Sequence, residues 1–340
     1  MRANAAVALF VALGCLPSAI GQSKDDPCLK QKSDSEIQQC HAVAGIAPER
    51  YLAAQIGDAG VIANDAKAKA AGLSYSVHMS DCEGRWVALY HMPADDPHYA
   101  YGFVYIDPQA GFTLDFGGEF TIHGDGSYHA VPDPVHSIQG DHPADLRIRL
   151  EQNGVAALLP HRALEQLGLP DKPDWFKFYL DTADPVTHKV NWGFFYNAIG
   201  DSRRALDYLQ PAYGEDPDAP RVVIELAYAY NALGRPGDAL RVLKTEFAKK
   251  PKNESLCREM AYAYLKLKSY REATEQYPVC IALCDDSQKG MAEKSELAFD
   301  LSTAYSGLGD PANHDAWRQK AKAWVPKGSA VYKYFHPDDQ

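Results

Sequence analysis

The chain has 340 residues, enough for two or more domains with cores of their own. Apolar residues make up 46% of it and charged residues 23%, the balance of an ordinary globular protein rather than a disordered or fibrous one. A formal net charge of -11 works against nucleic acid and against an anionic membrane face, which both demand a basic surface, and favours a protein or a neutral small molecule as partner.

The first element in chain order is an address rather than a fold. Met1-Arg2 supplies positive charge, residues 5–13 (AAVALFVAL) an apolar stretch, and residues 18–22 (SAIGQ) small residues suited to cleavage. That is the pattern of a secretory signal peptide over residues 1–21, with the cut expected after Gly21. Cys15 in ALGC offers a second reading, a lipid-modified N-terminus. It ranks lower because Ala12 stands three places earlier, where a larger aliphatic residue is usual. No later apolar run reaches the roughly 18–20 residues of a membrane-spanning helix. The expectation is a periplasmic or secreted protein without a transmembrane segment. Such a mature chain keeps six cysteines, Cys28, Cys40, Cys82, Cys257, Cys280 and Cys284, an even number that suits disulfides in an oxidising compartment.

Residues 22–80 form a mixed, partly flexible segment. Ser33 and Glu36 suggest a capping box for a short helix, and residues 64–73 a second helix ended by Gly72. Cys28 and Cys40 are close enough in sequence to close a local disulfide loop.

Between residues 81 and 160 the apolar period becomes two, which predicts a small antiparallel β domain. Strands are expected over 85–92, 99–106, 112–116, 119–123, 127–131, 146–151 and 155–159, with Tyr99, Tyr101, Phe103 and Tyr105 on one face. Asn153-Gly154 predicts a hairpin between the last two. Eight of the twelve histidines fall between residues 78 and 161. His123, His129, His136 and His142, near Asp125 and Asp141, are the residues a metal site would use, although their spacing matches no ligand motif. No nucleophile elbow, phosphate-binding loop or dinucleotide fingerprint occurs, so neither a cofactor nor a catalytic residue is expected. Helices at 160–168 and 173–181 make a connector over residues 161–185.

The rest of the chain repeats itself. FYNAIGDSRRAL (195–206), AYNALGRPGDAL (229–240) and AYLKLKSYREAT (263–274) are 34 residues apart, and AYSGLGDPANHD (304–315) follows after 41, with an insertion around residues 285–290. Pro217, Pro251 and Pro326 share one repeat position, which Asp285 takes in the third copy. The second copy carries Leu226, Ala227, Tyr230, Ala239 and Pro251; the first Trp192, Gly193, Tyr196, Ala205 and Pro217. The third has Met260, Ala261, Tyr264 and Ala273, and the fourth Leu301, Ser302, Tyr305 and Pro326, with His314 in the place of the alanine. Over residues 186–326 this pattern resembles the tetratricopeptide repeat family. The resemblance implies about four antiparallel helix pairs, turning near Gly200, Gly234, Lys268 and Gly309, stacked into a solenoid because one pair cannot bury its own apolar face. Residues 327–340 are left as a tail. The fold class expected is α+β, a β-sheet domain followed by an all-α solenoid.

The resemblance also implies which side chains face the concave side: those two places before the repeat tyrosine and one after it. They are Phe194, Tyr228 and Tyr262, then Asn197 and Asn231, with Leu265 in the third copy and Thr303 and Ser306 in the fourth. Rings beside amides suit an extended peptide, and Lys266 and Arg258 add positive charge. Within the third pair, Cys257 lies 11 residues before Lys268 and Cys280 lies 12 after it, at nearly equal height on antiparallel helices. Cys257–Cys280 is therefore the favoured disulfide and Cys257–Cys284 the second choice. Cys82 and Cys284 are then left over. The function expected is an exported, non-catalytic adaptor that binds a protein or peptide. The alternative is a metal-dependent hydrolase with its site in the β domain and the repeats as docking arm.

Overall fold

The computed structural model describes residues 66–89, 98–132, 147–179, 183–327 and 332–336. The signal peptide, Cys15, the helix expected after Ser33, the Cys28–Cys40 loop, His136 and His142 lie outside the described residues. The chain is a mixed fold, an antiparallel sheet and a helical C-terminal part, and it divides into two compact units close to Ala183.

Among the described residues, the first unit has a one-turn helix α1 (Ala66–Ala70) followed by Gly72, whose φ of +94° is open to glycine at no cost. Among the described residues its strands are β1 (Val77–His78), β2 (Arg85–Leu89), β3 (His98–Asp107), β4 (Gly111–Ile122), β5 (Tyr128–Val131), β6 (Arg147–Arg149) and β7 (Val155–Leu158). They pair antiparallel in the order β1-β7-β2-β3-β4-β5, and β6 also lies on β4. The tyrosine face of β3 is buried, as its alternation predicts: Tyr99, Tyr101, Phe103 and Tyr105 pack with Trp86, Phe120 and Tyr128. After helix α2 (His161–Leu167), a short 3₁₀ helix (Asp174–Tyr179) brings Trp175, Phe176 and Tyr179 against the same cluster.

Two strand expectations need correction. The segments 112–116 and 119–123 are one strand, β4, because Gly117 and Gly118 act as a bend within it rather than as a break. The register slips between Tyr101 and Gly102, and a Cβ on Gly117 would come within 2.5 Å of the Tyr101 ring, so only glycine lets that ring lie flat on β4. The second correction concerns Asn153-Gly154, which does not close a hairpin: β6 pairs with β4, whereas β7 pairs with β1 and β2. The Asn153 amide is used elsewhere, donating to Ser80 Oγ at 3.0 Å and accepting from the Ser80 N–H at 2.9 Å, while the Met79 N–H donates to the Gly154 carbonyl.

The second unit consists of helix pairs: α3 (Pro185–Ile199) with α4 (Ser202–Glu215), α5 (Val222–Ala232) with α6 (Pro236–Lys249), α7 (Glu254–Lys266) with α8 (Tyr270–Leu283), and α9 (Gln288–Leu308) with α10 (Pro311–Trp324). The turn residues Gly200, Gly234, Lys268 and Gly309 all have left-handed φ, between +60° and +92°. The small residues Gly193, Ala227, Ala261 and Ser302 are all buried, and a Cβ on Gly193 would stand 2.4 Å from Leu209 Cγ. Ala205, Ala239 and Ala273 are likewise fully buried, while His314 in the fourth copy is only half-buried. Cys257 and Cys280 are joined with their Cα atoms 5.5 Å apart, as equal height on antiparallel helices predicts. The seven extra residues of the fourth copy lengthen α9 at its N-terminal end, to 21 residues against 13 for α7. In the tail, the one-turn helix α11 (Tyr332–Phe335) packs Phe335 against Ala298, Phe299, Ala321 and Val325.

Candidate functional site

Phe194, Tyr228 and Tyr262 occupy one position on α3, α5 and α7, and all three are half-buried. A cation covers the first and third rings. The Arg221 guanidinium carbon lies 4.0 Å from the Phe194 centroid, and Lys266 Nζ lies 5.1 Å from that of Tyr262. Burial, and then the carboxylates of Glu259 and Glu225, push the Tyr228 hydroxyl up to about 12. It is therefore a hydrogen-bonding phenol at any physiological pH.

The two asparagines behave differently from the rings. Asn197 and Asn231 are 3% and 4% exposed, and each spends its amide donor on the next repeat. Asn197 Nδ2 donates to the Glu225 carbonyl at 3.0 Å and to its Oε2 at 3.2 Å; Asn231 Nδ2 repeats this on Glu259 at 3.1 and 2.9 Å. Their Oδ1 atoms are buried without a hydrogen-bond partner. Expected to bond both groups of a peptide unit, these amides have their donors engaged and their acceptors buried. Leu265 replaces the asparagine in the third copy, and Tyr277 of α8 supplies the missing donor, its hydroxyl bonding Asp300 Oδ2 at 3.1 Å.

The acids themselves form a row that sequence reasoning missed. Glu225, Glu259 and Asp300 each stand five residues before a repeat tyrosine, so the signal was present in the same alignment. Burial raises all three carboxyls, and Arg221 opposes it at Glu225, to which it is ion-paired at 2.8 Å. Asp300 reaches about 6. Farther along α9, burial lifts Glu293 and Glu296 to about 7.

In the sheet unit, His123 and His129 stack with ring centroids 3.8 Å apart. Asp125 does not join them. Its carboxylate accepts from the backbone N–H and hydroxyl of Ser127, whose hydroxyl lies 2.9 Å from His129 Nε2. Among the described residues, the group offering three metal-ligating atoms within 4.8 Å of one another is Glu254, Cys284 and Glu293, not the histidines. Cys284 and Cys82 are buried free thiols, as the disulfide expectation leaves them. No helix among the described residues is long and apolar enough to cross a membrane.

A family model described as tetratricopeptide repeat matches residues 198–245. No curated protein sequence matches the chain. Among solved structures, MamA MSR-1 is similar at 17% identity and a TM-score of 0.37, over 48% of this chain and 85% of that one. MamA AMB-1 has the same identity and TM-score, over 44% and 84%. TTC0263, a thermophilic TPR protein of Thermus thermophilus, is 17% identical with a TM-score of 0.31, over 45% and 97%. The family match falls on helix pairs that repeat every 34 residues with buried small residues at equivalent positions, and over residues 198–245 the chain is similar to tetratricopeptide repeat.

Proposed function

We propose that the chain is an exported, non-catalytic adaptor whose helix pairs hold an extended segment of a partner protein along Phe194, Tyr228 and Tyr262. The repeat fold suggests a role in protein–protein interaction. The observation that carries the finer reading is the row of half-buried rings recurring at repeat spacing, two of them with a cation against one face. Such rings offer contact area at low entropy cost. With the Asn197 and Asn231 donors engaged and their Oδ1 atoms buried, a bound backbone would find hydroxyls and the Lys266 ammonium as donors. Export rests on the residue pattern of 1–21, and a periplasmic or secreted location follows from it.

The test is affinity capture from an envelope extract with the wild type and the Tyr228→Ala/Tyr262→Ala double variant, both checked for helix content by circular dichroism. Loss of a ring contact at the centre of an interface costs about 2 kcal/mol, or roughly 30-fold in affinity. Partners retained by the wild type should be lost from the variant. Equal recovery by two equally folded proteins would reject the ring row as the binding surface.

A further inference from the structure

We propose that the middle of the ring row takes an arginine side chain of the partner, seated between the Tyr228 ring and the Glu259 carboxylate. This rests on the ring row being the binding surface, and it names what that surface selects. The basis is a comparison of successive repeats. Nine residues before a repeat tyrosine stand Arg221, Ser255 and Glu296, and five before it stand the acids Glu225, Glu259 and Asp300. Where the first helix pair meets the second, the chain supplies a cation of its own. The Arg221 guanidinium carbon lies 4.0 Å from the Phe194 centroid, and its Nη2 donates to Glu225 Oε1 at 2.8 Å. Where the third pair meets the fourth, Lys266 lies against Tyr262, and its charge also acts on Asp300.

Between the second and third pairs the ring, the acid and the amide recur without that cation. Ser255 replaces Arg221, four residues before its acid as Arg221 is, and Ala232 replaces Lys266. Among the described residues, no cation lies against the Tyr228 ring and none is ion-paired with Glu259. Arg258 reaches both only through the field of its charge, and that one charge also faces Glu293, Glu296 and Asp300. Glu259 is 6% exposed and takes the Asn231 amide on Oε2, while its Oε1 accepts no hydrogen bond among the described residues. No other charge acts on the Tyr228 hydroxyl as strongly as this carboxylate, so ring and acid are neighbours.

A guanidinium suits this pair because it stacks flat on a ring while its fork bonds a carboxylate, as Arg221 does one repeat earlier. A buried carboxylate without a counter-charge is costly, and a cation from the partner relieves that cost only in the complex. The net charge of -11 draws a basic segment in the same direction.

The experiment selects from a display library of random peptides on the purified full chain. The wild type is compared with Ser255→Arg, Glu259→Gln and the Tyr228→Ala/Tyr262→Ala double variant, all checked for helix content by circular dichroism. Peptides retained by the wild type should carry arginine at one fixed position. Replacing that arginine with citrulline, its uncharged isostere, should weaken binding at least about tenfold, the worth of one charge-assisted hydrogen bond. In Ser255→Arg, which carries its own cation, and in Glu259→Gln, which has lost the charge, the two peptides should bind alike. Retained peptides without arginine at a fixed position, or a preference over citrulline that persists in both variants, would overturn the proposal and leave the ring row standing. A wild type that retains no peptide, or peptides held equally by the ring double variant, would reject the ring row itself and the proposal with it.

Discussion

Asn231→Leu tests whether the asparagines tie one repeat to the next. Leucine already stands at this position one repeat later, as Leu265, so the helix accommodates it. The substitution removes one hydrogen bond to the Glu259 carbonyl and one to its carboxyl oxygen. The first is worth about 0.5–1.5 kcal/mol and the second about 1.5–3. Removing the unpartnered Oδ1 returns about 1 kcal/mol of desolvation, so the net loss should be about 1–3 kcal/mol. Glu259, already raised by burial, can take a proton and so limit the loss. The penalty should therefore shrink as pH falls. Thermal unfolding followed by circular dichroism should show a midpoint lower by about 2–12 °C, at roughly 2–4 °C per kcal/mol for a unit of this size. Asn231→Leu/Glu259→Leu should recover part of it, because no buried carboxyl is then left without its donor. A single variant within about 0.5 kcal/mol of the wild type would refute the reasoning and leave the amide free for a ligand.

Two further outcomes follow from charge and backbone geometry. Glu293 and Glu296 near 7 and Asp300 near 6 lie above their ordinary values of 4.5 and 3.8 because burial disfavours the charged form. The folded state keeps protons that the unfolded chain has released, so their contribution to stability is complete below about pH 4 and is lost as pH rises through 6–7. The midpoint should fall between pH 5 and pH 8 and Glu296→Gln should flatten that slope; a midpoint that rises across the window refutes it. At the third turn, Lys268 holds a φ of +60° where the other three turns use glycine. Lys268→Gly should stabilise the unit by up to about 1 kcal/mol in urea unfolding, since a left-handed residue with a Cβ carries a strain of that order. A destabilised variant would mean the Lys268 side chain contributes more than its backbone costs.

In the sheet unit, alternation located the strands but not their partners. β2, β3 and β5 lie close to where period-two apolar runs place them, and the four β3 aromatics share a buried face because successive side chains must point to opposite sides. Asn153-Gly154 misled because its turn preference is local, whereas pairing is decided by what the rest of the sheet offers. Three residues of β6 find β4, and the amide of Asn153 finds Ser80, 73 residues away. Gly117-Gly118 misled for the opposite reason. Glycine pairs usually mark breaks, but here the space they leave is filled by Tyr101 from the neighbouring strand.

The repeats were legible to a finer level, because a 34-residue period compares each residue with three others in the same environment. Gly193, Ala227, Ala261 and Ser302 could only be explained by close helices, and their burial follows. The same comparison says nothing about the direction in which a polar side chain turns. Asn197 and Asn231 were recognised as equivalent, but a donor facing a ligand and a donor facing the neighbouring repeat leave the same trace in sequence. What separates them is the residue 28 positions later. Asn197 is followed at that distance by Glu225 and Asn231 by Glu259, whereas Leu265, with no amide to offer, is followed by Glu293 in the lengthened part of α9. Where the asparagine is lost, the acid at the equivalent repeat position, Asp300, takes its donor from Tyr277 instead. A buried carboxyl left without a donor is costly enough that the replacement had to come from somewhere. The substitution of one donor by another is therefore the mark of an internal tie rather than of a ligand contact.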